Sequence, residues 1–167
     1  DLERLKLQAI HSVFRFGTRG HHFFPENLDF LSPFLKFFLK GSGLWNRGVQ
    51  TSLHYQIVEQ TVSLRNLPAA FEGFRILHLS DLHIEGIADN GRKLRTILSQ
   101  LEYDLCVLTG DFRYLTFGDY QKTIVHMADL VKVIQCPYGM IGILGNHDFL
   151  EMVPGLEGLG ITDRKST

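Results

Sequence analysis

Two cysteines in 167 residues are too few for a disulfide scaffold, and Cys106 and Cys136 each sit inside an apolar run, which suits reduced buried thiols. No run of about 18 apolar residues occurs, so no segment reads as a bilayer-spanning helix. An excess of one charge is missing too. Lys and Arg number 17 against 18 Asp and Glu, for a net charge of -1, so no overall basic field would draw nucleic acid. Disorder and fibrous repeats are excluded by a composition of 44% hydrophobic and 21% charged residues, which is that of one globular domain with a sizeable core. The chain starts at Asp1 rather than methionine, and residues 162–167 match neither a helix end nor a strand. It reads as the N-terminal part of a longer protein.

What is present divides near residue 50. Residues 1–50 hold eight of the thirteen phenylalanines and no strand pattern, and read as a helical N-terminal extension. Leu2, Leu5, Ala9 and Val13, with Ile10 and Phe14 beside them, have the spacing of an amphipathic helix. Ser32-Pro33 is a cap followed by a first-turn proline, leading into residues 34–39; Gly41 and Gly43 end that helix after about two turns, roughly 12 Å. The extension either packs on the rest of the protein or lies on a membrane surface, where Lys36 and Lys40 beside the phenylalanines are in place. A leader before Asp1 would lie outside this sequence; without one the expected location is the cytoplasm, peripheral at the inner membrane in the second case.

From residue 51 to 167 the pattern is regular. Alternation over Leu53–Leu64 predicts an edge-like strand, broken by Asn66-Leu67-Pro68. Apolar runs at 74–79, 105–108 and 140–144 alternate with helical spacings at Leu94, Ile97, Leu98 and Leu101 and at Ile124, Met127, Ala128 and Val131. Strands that are continuously apolar and alternate with helices predict an α/β fold with a parallel sheet covered on both faces. Right-handed crossovers then bring all three strand ends to one edge.

Each run ends in a small residue and then in side chains able to hold a metal. Asp81 and His83 follow the first, Asp111 the second, and Asn146 and His147 the third. These are carboxyl ends, where open α/β sheets place their ligands. Asp81 and His83 are two apart, so in an extended segment they project to one side. Gly110 and Gly145 permit tight turns and close backbone approach. Carboxylates, an imidazole and an amide oxygen together favour manganese, iron or zinc over calcium. One carboxylate shared by two such metals, about 3.5–4 Å apart, gives the geometry that activates water and clamps a phosphoryl group; Asp111 is the natural bridge. Arg113 beside it is placed to hold a substrate phosphate, its plain alternative being a solvated side chain. His78, inside a strand and opposite Asp81 by period two, reads as a packing residue. His11, His21, His22, His54 and His126 have no partner spacing of a metal site, and Asp148 reads as a support for His147. No glycine-rich phosphate loop follows the first strand, which disfavours a nucleotide-binding sheet.

Asp81-Leu82-His83, Gly110-Asp111 and Gly145-Asn146-His147-Asp148 resemble the first three motifs of the calcineurin-like metallophosphoesterases, in order and at spacings of 30 and 35 residues. The run from Phe74 to His83 resembles the bacterial phosphodiesterase-like branch, and the likeness covers about residues 55–155. It implies a four-layer α/β/β/α sandwich with its first half present. It also implies two divalent metals (Mn, Fe or Zn), with Asp81 and His83 on the first, Asp111 bridging and Asn146 on the second. His147 would stand by the scissile phosphate as the catalytic residue. The reaction implied is hydrolysis of a phosphodiester or phosphomonoester, lipid-linked esters included, by a hydroxide that the metals activate. Tyr114 stands where family members often have an aspartate that orients this histidine, and no histidine follows His147. A chain short of its later ligands has a second reading, a non-catalytic binding module on the same scaffold.

Overall fold

The computed structural model describes residues 31–116 and 118–163. The expected helix over residues 2–14 and the histidines at 11, 21 and 22 lie outside the described residues. Two helices open the described chain, α1 (Leu31–Gly41) and α2 (Leu44–Ser52), and they pack on each other. Ser32 and Pro33 fall inside the first turn of α1, where a missing N–H costs no helical bond. Gly43, at φ 74°, turns the chain between the helices. The second helix runs past residue 50, across the expected boundary.

The strand expected over 53–64 does not form. Residues 54–64 have no ladder partner among the described residues, and Ile57, Val58, Val62 and Leu64 are exposed. Alternation supplies a strand with a face, but its backbone N–H and C=O groups still need a neighbouring strand. Tyr55 is the point at which this segment meets the core.

Four parallel strands follow: β1 (Ile76–Leu79), β2 (Leu105–Leu108), β3 (Met140–Gly142) and β4 (Ile161–Asp163), in the spatial order β1-β2-β3-β4. Helices α3 (Arg92–Leu98), α4 (Gln121–Val131) and α5 (Val153–Gly158) lie in the three crossovers. The α/β class is as the alternating pattern predicts. β4 and α5 are additions, because a three-residue strand after a six-residue helix is too short to show a period. Register places Ile161 beside Met140, and a Cβ on Gly142 would come 2.8 Å from Ile161 Cγ2, so strand and glycine fit closely.

Consecutive strand order has a consequence for the faces. Right-handed crossovers that always step in one direction carry every connecting helix to the same side. On that side Cys106, Leu108, Gly142 and Ile161 are buried. On the other, Ile76 is 57% exposed, His78 is exposed, and Leu105, Val107 and Ile141 are half-buried. Of the two faces expected to be covered, the described residues bury one. The core on that side joins Ile84, Leu94, Leu98, Met127, Leu130, Met152 and Leu156 to the strands. No second sheet of a four-layer sandwich lies among the described residues.

Beyond β2 and β3 the chain makes its closest approach to itself. Gly110 lies at φ 88°, and a Cβ there would overlap the backbone of Gly145; a Cβ on Gly145 would overlap Asp111. Gly110→Ala is therefore expected to cost at least about 3 kcal/mol, combining left-handed strain with the overlap. Gly118→Ala, also left-handed at φ 80° but facing open space, is expected to cost about 1–2 kcal/mol. Urea midpoints of the two variants check the contrast. Cys106 is fully buried, and that burial, assisted by Cys136, pushes its thiol up to about 12. At pH 8 it is expected to react with iodoacetamide on the order of a thousandfold more slowly than in the unfolded chain, because the thiolate is the nucleophile. Residue-resolved mass spectrometry of labelled protein measures this, and equal rates in both states would contradict the placement.

Candidate metal centre

The ladder between β1 and β2 continues past both strands into their loops. Asp81 N–H donates to the Gly110 carbonyl (3.1 Å), His83 N–H to that of Asp111 (3.0 Å) and Ile84 N–H to that of Phe112 (2.9 Å). Within this pairing Asp81, His83 and Asp111 adopt left-handed backbone, at φ 51°, 42° and 51°. Among the described non-glycine residues Asn90 alone joins them at positive φ. Asp81 and His83 thus converge through left-handed turns, not through the extended alternation that their spacing predicts. One ligand atom from each of Asp81, His83 and Asp111 lies within 4.8 Å of the other two. Two carboxylates and an imidazole at this separation suit a divalent first-row cation. Asp81 is exposed, and His83 and Asp111 are half-buried, so the group opens to solvent.

Neighbouring groups set which atoms are offered. The Ser80 hydroxyl donates to Asp81 Oδ2. His83 Nδ1 meets the carbonyl of Arg113, which can only accept, so the proton sits on Nδ1 and the Nε2 lone pair is left for a metal. His147 is held in the same way, with Nδ1–H donating to the Tyr114 carbonyl at 2.9 Å. The two imidazoles meet edge to face, with centroids 4.9 Å apart. His147 is tied to the cluster a second time, its backbone N–H donating to Asp111 Oδ1 at 2.8 Å. Asn146, next to it, is exposed at the turn.

Tyr114, where the resemblance implies an orienting aspartate, thus meets His147 through its main-chain carbonyl instead. The Tyr114 amide donates to Glu85 Oε1 at 2.8 Å, which fixes the peptide whose carbonyl, that of Arg113, meets His83 Nδ1. Sequence reasoning missed Glu85 and the carbonyls of Arg113 and Tyr114. A carbonyl carries no residue-type signal, and Glu85 stands in no motif.

Asp148 is buried and accepts two amides, Gly145 N–H at 2.8 Å and Arg113 N–H at 3.1 Å. Burial raises its pKa above the ordinary carboxylate value while those two amides oppose the rise. These bonds tie the loops after β2 and β3 together, while His147 itself is held by Asp111 and Tyr114. Arg113 departs from expectation. Its side chain is 1% exposed, with the guanidinium 4.0 Å from the centre of the Phe149 ring and Nη2–H donating to the Gly118 carbonyl at 3.3 Å. Burial lowers its pKa, and Glu85, Asp148 and Asp119 partly restore it. Packed inward in this way, it braces two loops and is not presented to a substrate phosphate. His78 lies on the open face of the sheet, its Nε2 2.8 Å from Thr109 Oγ1. His54 is exposed beyond α2, and His126 lies in α4.

Comparison with known proteins agrees with this geometry. A family model for the calcineurin-like phosphoesterases matches residues 74–165, more than half of the chain. The uncharacterised metallophosphoesterase YkoQ of Bacillus subtilis (strain 168) is 36% identical over 87 residues, 50% of this chain and 30% of that protein. YkuE of the same organism, another uncharacterised metallophosphoesterase, is 28% identical over 97 residues, 56% of this chain and 32% of its own length. An uncharacterised metallophosphoesterase of Aquifex aeolicus (strain VF5) is 24% identical over 96 residues, 35% of its length. The chain thus spans about a third of the length of the relatives it matches. No solved structure matches it at a significant level. Motifs, strand-end geometry and family model coincide on the same residues, and the chain belongs to the calcineurin-like phosphoesterase family.

Proposed function

We propose that the full-length protein hydrolyses phosphate esters, diesters or monoesters, at a centre of two divalent cations. The observation that carries this reading is the convergence of Asp81, His83 and Asp111 ligand atoms within 4.8 Å at the carboxyl edge of the sheet. Asp81 and His83 would hold the first cation, Asp111 would be shared with the second, and Asn146 would offer its amide oxygen to the second. The mixed oxygen and nitrogen set favours manganese, iron or zinc. Such cations, when bound, acidify water and neutralise charge on phosphoryl oxygens.

The chain's own residues do the remainder. The Arg113 carbonyl keeps the His83 proton on Nδ1, so that Nε2 remains a ligand. Ser80 orients the Asp81 carboxylate. His147, held through Nδ1–H by the Tyr114 carbonyl, leaves its Nε2 to stabilise the phosphoryl group and to pass a proton to the departing oxygen. Asp111 serves twice, as a ligand and as the acceptor that fixes the His147 backbone.

The test uses full-length protein stripped of metal and titrated with Mn²⁺, Fe²⁺ or Zn²⁺ while hydrolysis of bis(p-nitrophenyl) phosphate is followed. Turnover is expected to require metal and to vanish in Asp111→Asn. His147→Ala is expected to lower kcat by roughly 10²–10⁴-fold with little change in KM. A folded protein that turns over with none of the three metals would overturn the reading in favour of a non-catalytic module.

A further inference from the structure

Helices α1 and α2 take no part in the centre above, yet they carry the most exposed aromatic surface of the described chain. Phe34, Phe37 and Phe38 are 66%, 78% and 66% exposed, and their i, i+3, i+4 spacing puts them in one stripe on α1. Leu35 on α1 and Leu44 on α2, each 52% exposed, add apolar surface to the pair. Trp45 and Val49, half-buried and one turn apart on α2, together with the half-buried Leu39 of α1, form the inner side of the pair.

Charge on this pair is all of one sign. Residues 31–58 contain Lys36, Lys40 and Arg47 and no Asp or Glu, whereas residues 59–167 carry ten Lys and Arg against fourteen Asp and Glu. Lys36 and Lys40 are one turn apart on a different side of α1 from the phenylalanines. Their ammonium groups lie 5.1 and 5.7 Å from the centre of the Trp45 ring. The helix thus has an aromatic stripe, a separate cationic stripe, and a tryptophan beneath the cations. α1 is 11 residues long, about 16 Å, and no helix of the described residues is long and apolar enough to cross a membrane.

We propose that the α1–α2 pair is an interfacial anchor that lies flat on an anionic lipid surface. The phenylalanines enter the acyl boundary, the lysines stay at the level of the headgroups, and Trp45 sits between them. Charge complementarity selects this occupant: three cations with no acid among them match an anionic surface, while the acidic remainder of the chain is repelled from it and held on the outer side. Each cation near such a surface raises partitioning about fivefold, so the three together contribute about a hundredfold. The proposal rests on the helix pair alone and is independent of the hydrolytic reading.

Trp45 is the one tryptophan of the chain, which makes it a built-in reporter. Full-length protein is mixed with vesicles of phosphatidylglycerol and phosphatidylcholine (1:3), or of phosphatidylcholine alone, and both co-sedimentation and tryptophan emission are followed, with Trp45→Phe as the control that identifies the Trp45 signal. Co-sedimentation with the anionic vesicles and a blue shift of emission are expected, with partitioning about a hundredfold weaker on phosphatidylcholine. Phe37→Ser with Phe38→Ser is expected to weaken binding to both vesicles at least about tenfold, since two buried rings are lost. Lys36→Gln with Lys40→Gln is expected to remove most of the preference for anionic lipid. All four residues are exposed, and unchanged protection of Cys106 from alkylation establishes that each variant is folded. A chain that stays in the supernatant with both vesicles overturns the proposal. So does binding indifferent to both double variants. Either result assigns the face to a protein surface instead.

Discussion

An exchange of two carboxylates between neighbouring loops is the interaction on which the rest of the centre depends. Asp111, from the loop after β2, accepts the His147 amide of the loop after β3. Asp148, from the loop after β3, accepts the Arg113 amide of the loop after β2, and the Gly145 amide of its own loop as well. Each loop is therefore fastened by a side chain of the other. Where they cross, Gly110 and Gly145 lie so close that neither tolerates a Cβ. The cross-bracing is stiff because Asp148 is removed from water, where an unfilled acceptor is expensive and a filled one is held firmly.

That stiffness is what allows three non-glycine residues to remain in left-handed backbone side by side. Such conformations cost on the order of 1–3 kcal/mol each and persist only where the surroundings over-determine them. Here the loop after β1 is held on its other side by three consecutive main-chain bonds to Gly110, Asp111 and Phe112. Backbone strain, the exposed Asp81 and the fixed proton on His83 Nδ1 occur in the same few residues. The fold thus spends order from its well-packed core on a small region held away from its relaxed geometry.

The alternation of apolar runs with helical spacings disclosed the strands that carry the centre, and three short motifs at their ends disclosed its acidic and imidazole side chains. What stayed hidden was of three physical kinds. β4 and α5 are too brief to express a period. The strand expected over 53–64 shows the converse failure, since alternation is a property of one segment whereas a strand is a property of two. The third kind is main-chain chemistry. The carbonyls of Arg113 and Tyr114 orient both imidazoles, and no side-chain pattern announces them. Arg113 misled for a related reason. A guanidinium beside a metal-site carboxylate suggests phosphate binding, but this one finds the face of Phe149 and becomes structural.

The unpermuted strand order bears on how the molecule comes into being. Because β1, β2, β3 and β4 are neighbours in space in the same sequence in which they occur along the chain, each strand leaving the ribosome finds its only earlier partner already made. Among the described strands none is inserted between two others, and none waits for a distant segment before it can pair. A parallel sheet is usually a slow topology, since loop closure precedes every reward. In this one each closure spans a single helix, so the sheet can grow by accretion in step with synthesis. The centre, which needs the ends of β1, β2 and β3 but not of β4, is then assembled before the last strand has been added.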